Sequence, residues 1–414
     1  MLCRWQGRLW YAVVGALLAL SPLAAAADLP CSKMDLGVDA DLHGFRPLTD
    51  DSLWNTDISN WPVDPTSKAV MRSLASAHLQ ADFGSRMWQG HIKGNPYVVV
   101  SGQKPVPVEV TVYPQESDPG PMPIPLDAPM QGAPVPDPNT DRHIIALDRD
   151  TCREYDLWQG FAQPDGTWKA SQASTYDLLG GDNQRPWTWT SANAAGVPEF
   201  VGLVRYDEVA TGEIRHAIAF TLAHTRSAFT PPAHHQADMS KDPIDPPMGV
   251  RFRLRANYDI SGFSPQVQVI LQALKRYGMI MVDNGIDLFL GGAPDPRWND
   301  NDLVAIRRIK AADFEMVRAS PVYDYHHRPK GPPPVVKEFA ATSSAGPGTP
   351  VTLSWNVSDA NYIIISDVGT VSSDTVKVAP TGTTTYTLTA SNSFGRTTAT
   401  VKVTVEDASS APKQ

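Results

Sequence analysis

The chain has 414 residues, 42% of them hydrophobic, with 35 basic and 44 acidic side chains and a net charge of −9. That balance excludes a general nucleic-acid binder, which needs a basic face for phosphate contact. Three cysteines are too few for a disulfide-built scaffold, and the length suits two domains with separate cores.

Residues 1–27 read as an export signal. Arg4 and Arg8 give a basic start, Leu9–Leu20 is apolar, Pro22 breaks the run, and Ala25, Ala26 and Ala27 offer a cleavage site. The apolar run is short for a membrane span. The mature chain is expected to be secreted or periplasmic, with a charge of −11 once Arg4 and Arg8 are removed and no membrane insertion. Cys31 and Cys152 then remain and are expected to pair in an oxidising compartment, two free thiols being the alternative.

Residues 28–327 hold all ten histidines and eight of the eleven tryptophans. Pro105–Pro138 contains eleven prolines and reads as an ordered wrap over the surface. "NPYVVVSG", "VEVTVYP", "HIIALD" and "CREYDLW" read as strands, and Cys152, Glu154, Asp156 and Trp158 share one face of the last. "IRHAIAFT" sets His216, Ile218 and Phe220 on one face. "RFRLRA" sets Arg251, Arg253 and Arg255 opposite Phe252 and Leu254. A helix starts at Ser264 and Pro265, carries Val267, Ile270, Leu271, Leu274 and Tyr277 at helical spacing, and ends at Gly278. Strand Met279–Val282, turn Asp283-Asn284-Gly285 and strand Asp287–Leu290 then predict a hairpin. Asp300, Asn301 and Asp302 offer caps for a helix bearing Leu303, Ile306 and Ile309. Without the glycine and distal glutamate of a calcium loop, that stretch is turn chemistry.

"RPKGPPP" at 328–334 is a stiff linker by composition. Beyond it, "VTLSW", "TYTLTAS" and "VKVTV" alternate as strands of a β-sandwich. The stretches "PGTPVTLSWNVSDANYIIIS" and "VAPTGTTTYTLTASNSFGRTTATVKVTV" resemble bacterial immunoglobulin-like modules over residues 335–406, without the cysteine pair of antibody domains. Residues 407–414 are expected to be a disordered tail. The fold class expected is mainly β: a large sandwich- or jelly-roll-like domain with a few helices, then an immunoglobulin-like sandwich serving as spacer or attachment. From Trp54 to Val317, stretches such as "DRHIIALDRDTCREYDLW", "RPWTWTSANAAGVP" and "ALKRYGMIMVDNG" resemble a family of exported bacterial proteins without a settled activity. That pattern has an aspartate where this chain has Asn193.

Three constellations carry candidate chemistry. Glycoside cleavage needs two carboxyls across the bond, and "RYDEV" gathers Arg205, Asp207 and Glu208 ahead of His216. Asp207, Glu208, His216, Asp177 and His143 are the candidate catalytic residues. Arg205, Arg185, Trp189, Trp158, Asp295, Arg297 and Trp298 are the candidate substrate-binding residues, the tryptophans as sugar-stacking platforms. Asp207 equally fits a helix cap, with Glu208 in its first turn. His143, His216 and the His234-His235 pair lack metal-ligand spacing, so no metal or cofactor is expected. The arginine face of "RFRLRA" suits an acidic polysaccharide or, equally, a paired structural face. There is no Gly-x-Ser-x-Gly elbow. The expectation is a glycoside hydrolase or polysaccharide lyase whose partner is an extracellular polysaccharide or cell-wall glycan. The alternative is a non-catalytic glycan-binding or adhesion protein.

Overall fold

The computed structural model describes residues 29–85, 87–134, 141–342 and 346–405. The export segment and the tail lie outside them. The chain is mainly β with few helices, as expected.

Two large sheets, of five and six strands, dominate the larger domain, beside smaller sheets of two or three strands. The first runs Gly37–Val38, Tyr97–Val100, Ile144–Asp148, Arg153–Trp158, Gln172–Asp177 in spatial order. Its side chains alternate with period two, and both faces are covered. Tyr97, Val99, Ile145 and Leu147 enter the main core. Val98, Val100, Ile144 and Ala146 meet Met122, Ile124 and Trp168 in a second core. Over its described residues, 105–134, the proline-rich stretch supplies Met122 and Ile124 and wraps the sheet, and Trp168 Nε1 donates to Ile124 O at 3.1 Å.

The second sheet runs Phe314–Met316, Arg251–Leu254, Met279–Asn284, Ile218–Leu222, Phe289–Leu290, Gln80–Ala81. Helix Pro265–Arg276 packs Val267, Ile270, Leu271 and Leu274 into the main core. It stops where Gly278 takes φ +71°; a Cβ there would meet Phe252 O at 2.5 Å.

The hairpin expected at Asp283-Asn284-Gly285 does not form. Strand Ile218–Leu222 lies between the two segments, parallel to Met279–Asn284 and antiparallel to Phe289–Leu290. The chain crosses over the end of that strand, with Gly285 N donating to Leu222 O and Leu288 N to Thr221 O. Turn residues dictate a local reversal, but the slot beside Met279–Asn284 is already filled by the apolar strand of residues 218–222. Pairing is also interrupted there: Met281 faces Phe220 and Asp283 faces Thr221, leaving Val282 as an extra residue.

Cys31 and Cys152 form a disulfide with Cα atoms 5.6 Å apart. It ties the first ordered turn to the start of strand Arg153–Trp158. No helix among the described residues is long and apolar enough to cross a membrane.

Residues 335–405 form a second two-sheet unit with its own core, in which Leu353, Trp355, Tyr386 and Leu388 are buried. A three-stranded sheet of Val335–Ala341, Val351–Ser358 and Thr375–Val378 accompanies a four-stranded one of Gly369–Val371, Tyr362–Ile365, Thr384–Asn392 and Gly395–Val403. The unit is docked on the first domain. Asn361 Nδ2 donates to Asn183 O and Gln184 O, Arg396 Nη1 to Ser117 O, and Trp187 N to Ser393 O. Tyr362 Oη donates to Asp118 Oδ1 at 2.5 Å, and Asp118 pairs with Arg185 at 3.2 Å. The linker is gripped too: Thr397 Oγ1 donates to Pro334 O and Asn392 Nδ2 to Pro332 O.

Candidate active site: an acidic cleft between the sheets

Acids on strands normally point to water, so acids buried among apolar neighbours need a local reason. Strand Arg153–Trp158 alternates Tyr155 and Leu157 into the second core with Glu154 and Asp156 on the opposite face. Both acids are completely buried. They are met by the segment after Asn193: Phe200 N donates to Glu154 Oε1 at 2.8 Å and Glu199 N to Asp156 Oδ2 at 3.3 Å. Burial raises the Glu154 carboxyl to about 7 and Asp156 well above its ordinary range, and in Asp156 the neighbouring Glu154 adds to the rise. Two carboxyls so close titrate as one unit.

In front of them opens a cleft of about 240 Å³. Four carboxyls line it: Asp82 after the edge strand Gln80–Ala81, Asp141 just before strand Ile144–Asp148, Glu199, and Asp283 beside the extra residue Val282. His143 and the amides of Asn95, Gln131, Asn193 and Asn284 complete its polar wall, and no lysine or arginine is among the lining residues.

Glu199 is held at both oxygens. Asn95 Nδ2 donates to Oε1 at 2.5 Å and Asn193 Nδ2 to Oε2 at 2.9 Å. Asn193 is itself fixed, because its Oδ1 accepts from Val197 N and its Nδ2 also reaches Val197 O. Asp283 accepts from Ala194 N at Oδ2 and from Asn284 N at Oδ1. Burial pushes Asp283 up to about 7; Asp141 and Glu199 push the same way, against the Ala194 N–H and His143. Burial pushes Asp82 up to about 6, with Lys93 opposing and Asp141 reinforcing. The cleft therefore holds a carboxyl that burial raises toward neutral pH together with one clamped at both oxygens by amides, a combination suited to general acid–base work.

The residues singled out from the sequence are spread over three places. His143 lines the cleft. Trp158 does not line it but reaches a lining residue, donating Nε1 to Asp141 Oδ1 at 3.2 Å and packing against Tyr113 with centroids 6.0 Å apart.

Arg205, Asp207, Glu208 and His216 form a buried ion cluster at helix Tyr206–Thr211. Arg205 Nη2 meets Glu208 Oε1 at 2.9 Å, His216 Nε2 meets Glu208 Oε2 at 3.0 Å, and Leu42 N donates to Asp207. Burial pulls Glu208 upward, but Arg205 and His216 outweigh it and hold the carboxyl below its ordinary range. Asp207 goes the other way: burial raises it more than Arg205 lowers it. Asp295, Arg297 and Trp298 adjoin this cluster through Tyr206, whose ring faces the Arg297 guanidinium at 4.2 Å and the Trp298 ring at 4.9 Å. None of these seven residues lines the acidic cleft.

Asp177, Arg185 and Trp189 lie at the junction with the second unit. Asp177 borders a cavity of about 450 Å³ with Asp182 and Asn361. Trp189 sits between the guanidinium groups of Arg185 and Arg396. Two of the three arginines of "RFRLRA" are turned inward, Arg251 and Arg253, the latter paired with Glu315, while Arg255 is exposed. His234 is buried under Trp187, with ring centroids 4.2 Å apart, and burial lowers it to about 4. No group of metal-ligating side chains occurs among the described residues.

Sequence reasoning missed Asp82, Asn95, Glu199 and Asp283. Three of them carried a usable signal: an acid set among apolar residues in "QADF", "PEF" and "MVDN". No protein-family model matches the chain, and no curated protein matches it.

Proposed function

We propose that the chain is an exported glycoside hydrolase whose catalytic centre is the acidic cleft. Asp283 is the general acid that protonates the leaving oxygen, and Glu199 is the carboxylate that activates water or attacks the sugar carbon. The observation that carries this reading is the convergence of Asp283 and the doubly clamped Glu199 on one cleft between the sheets. Trp158, hydrogen-bonded to the lining Asp141, forms with Tyr113 an aromatic pair on which a sugar ring next to the cleft would stack. His143 and Asp82 contact substrate deeper in the cleft.

The export reading rests on the N-terminal sequence and is supported by the Cys31–Cys152 bridge. The two-sheet C-terminal unit supports the immunoglobulin-like reading. A lyase acting on uronates has less support, since Arg251 and Arg253 face inward and none of the three arginines lines the cleft.

Reducing-end release across neutral, basic and acidic polysaccharides, with an absorbance assay for unsaturated products, tests the reading. Asp283→Asn and Glu199→Gln are each expected to lower kcat by roughly 10²–10⁴-fold while the protein stays folded. Absence of any product across the whole set would rule out the enzyme and leave a glycan-binding protein.

A further inference from the structure

We infer that the glycan accepted by this cleft carries free amino groups, so that a hexosamine unit enters as its ammonium ion. The inference rests on the glycosidase reading and narrows its substrate class.

Charge is the first ground. Asp82, Asp141, Glu199 and Asp283 line the cleft with no lysine or arginine among them. Lys93 and Arg307 line a separate cavity with Phe289 and Asp300, from which Lys93 lowers Asp82 without outweighing its burial. With Asp283 holding the catalytic proton, Asp82, Asp141 and Glu199 still leave an acidic wall that disfavours a uronate or sulfate and attracts a cation.

Hydrogen-bond capacity is the second, independent ground. Asn284 lines the cleft with its amide orientation fixed, since Nδ2 donates to Leu222 O and Thr225 Oγ1. Its Oδ1 is left as a buried acceptor without a partner. His143, only 6% exposed, lines the same cleft, and its Nδ1 also meets no partner. An ammonium group brings three donors and no acceptor, which complements a wall rich in acceptors. An N-acetyl group brings one donor, a carbonyl acceptor and a methyl, and fits this wall less well. Ile286 and Phe289 give the rim an apolar lip for the C–H face of the ring.

The test uses the full chain with a glucosamine polymer, the same polymer N-acetylated, a neutral glucan and a polyuronate. Reducing ends are measured for each, and calorimetry follows a glucosamine oligosaccharide binding to the Asp283→Asn variant. The amino polymer is expected to exceed every other substrate by about tenfold or more in kcat/KM. Oligosaccharide affinity is expected to fall several-fold between about 0.05 and 0.5 M salt. Equal or faster cleavage of the N-acetylated, neutral or uronate polymer overturns the inference and leaves the glycosidase reading standing. Salt-sensitive binding without cleavage of any polymer keeps the amino-sugar class and overturns catalysis. Neither cleavage nor binding overturns both.

Discussion

Asn193 stands one hydrogen bond from the carboxylate proposed to do the chemistry, where the resembling proteins are expected to carry an aspartate. Its Nδ2 is 2.9 Å from Glu199 Oε2. Asn193→Asp replaces that donor with an acceptor, and two carboxyls at this distance share a proton. The shared proton raises a folded-state pKa above its unfolded value, so stability falls as pH rises. The variant's Tm is expected to lie below wild type at pH 8 and to approach it near pH 4. Asp283 already behaves this way in the natural chain. Burial raises it to about 7, so its cost is absent below the unfolded value near 4 and complete above about 7. Asp283→Asn is therefore expected to melt higher than wild type at pH 8 and equally at pH 4, while losing activity. A melting curve that shifts equally at both pH values would remove the burial argument. His216→Ala is expected to behave differently from both. It removes a partner of buried Glu208, costing about 1–3 kcal/mol, measured as a lower urea midpoint. Asp283 was hidden in the sequence by its neighbours, because Asp-Asn-Gly is read as a turn before it is read as a wall.

Elements whose periodicity is purely local were legible. Helix Pro265–Arg276 and strands Tyr97–Val100, Ile144–Asp148 and Arg153–Trp158 follow from spacing alone. The false hairpin at 279–290 shows where that stops. Asn-Gly specifies a reversal, but the strand beside Met279–Asn284 is chosen by which apolar segment fills the sheet, and that segment comes from residues 218–222. The acidic face of Arg153–Trp158 was read correctly, but its partner Glu199 lies 43 residues beyond Asp156 in a loop with no periodicity to betray it. The disulfide acts at this scale, locking the start of the chain to that strand. Its partners are 121 residues apart. Removing the link frees a long loop in the unfolded chain, so Cys31→Ser paired with Cys152→Ser is expected to cost about 2–5 kcal/mol. Urea unfolding checks this, and reductant should then shift the wild type but not the double variant.

For the whole molecule, composition located the boundary near 328–334 but not the docking. The module was expected to serve as spacer or attachment, with no contact to the first domain foreseen; Tyr362, Asn361 and Arg396 fasten it to residues 117–118 and 183–184. Such contacts join chain positions well over a hundred apart and leave no periodic trace. The fastened stretch continues through Trp187 and Trp189 to Asn193, and so to the wall that holds Glu199. Tyr362→Phe combined with Arg396→Ala is expected to lower kcat severalfold with a smaller change in KM; an unchanged kcat would make the docking purely mechanical. The buried pair Asp118 and Arg185 lends the contact weight, because Tyr362 supplies the second donor to an otherwise enclosed carboxylate. The same arrangement sets a timetable for the newborn chain. Residues 183–199 emerge long before Tyr362 and Arg396, and until those arrive Asp118 lacks its tyrosine and Trp189 its outer guanidinium. The support behind the proposed site is thus completed by a stretch made well over a hundred residues later, so a chain halted before Tyr362 is expected to hold Glu199 less firmly.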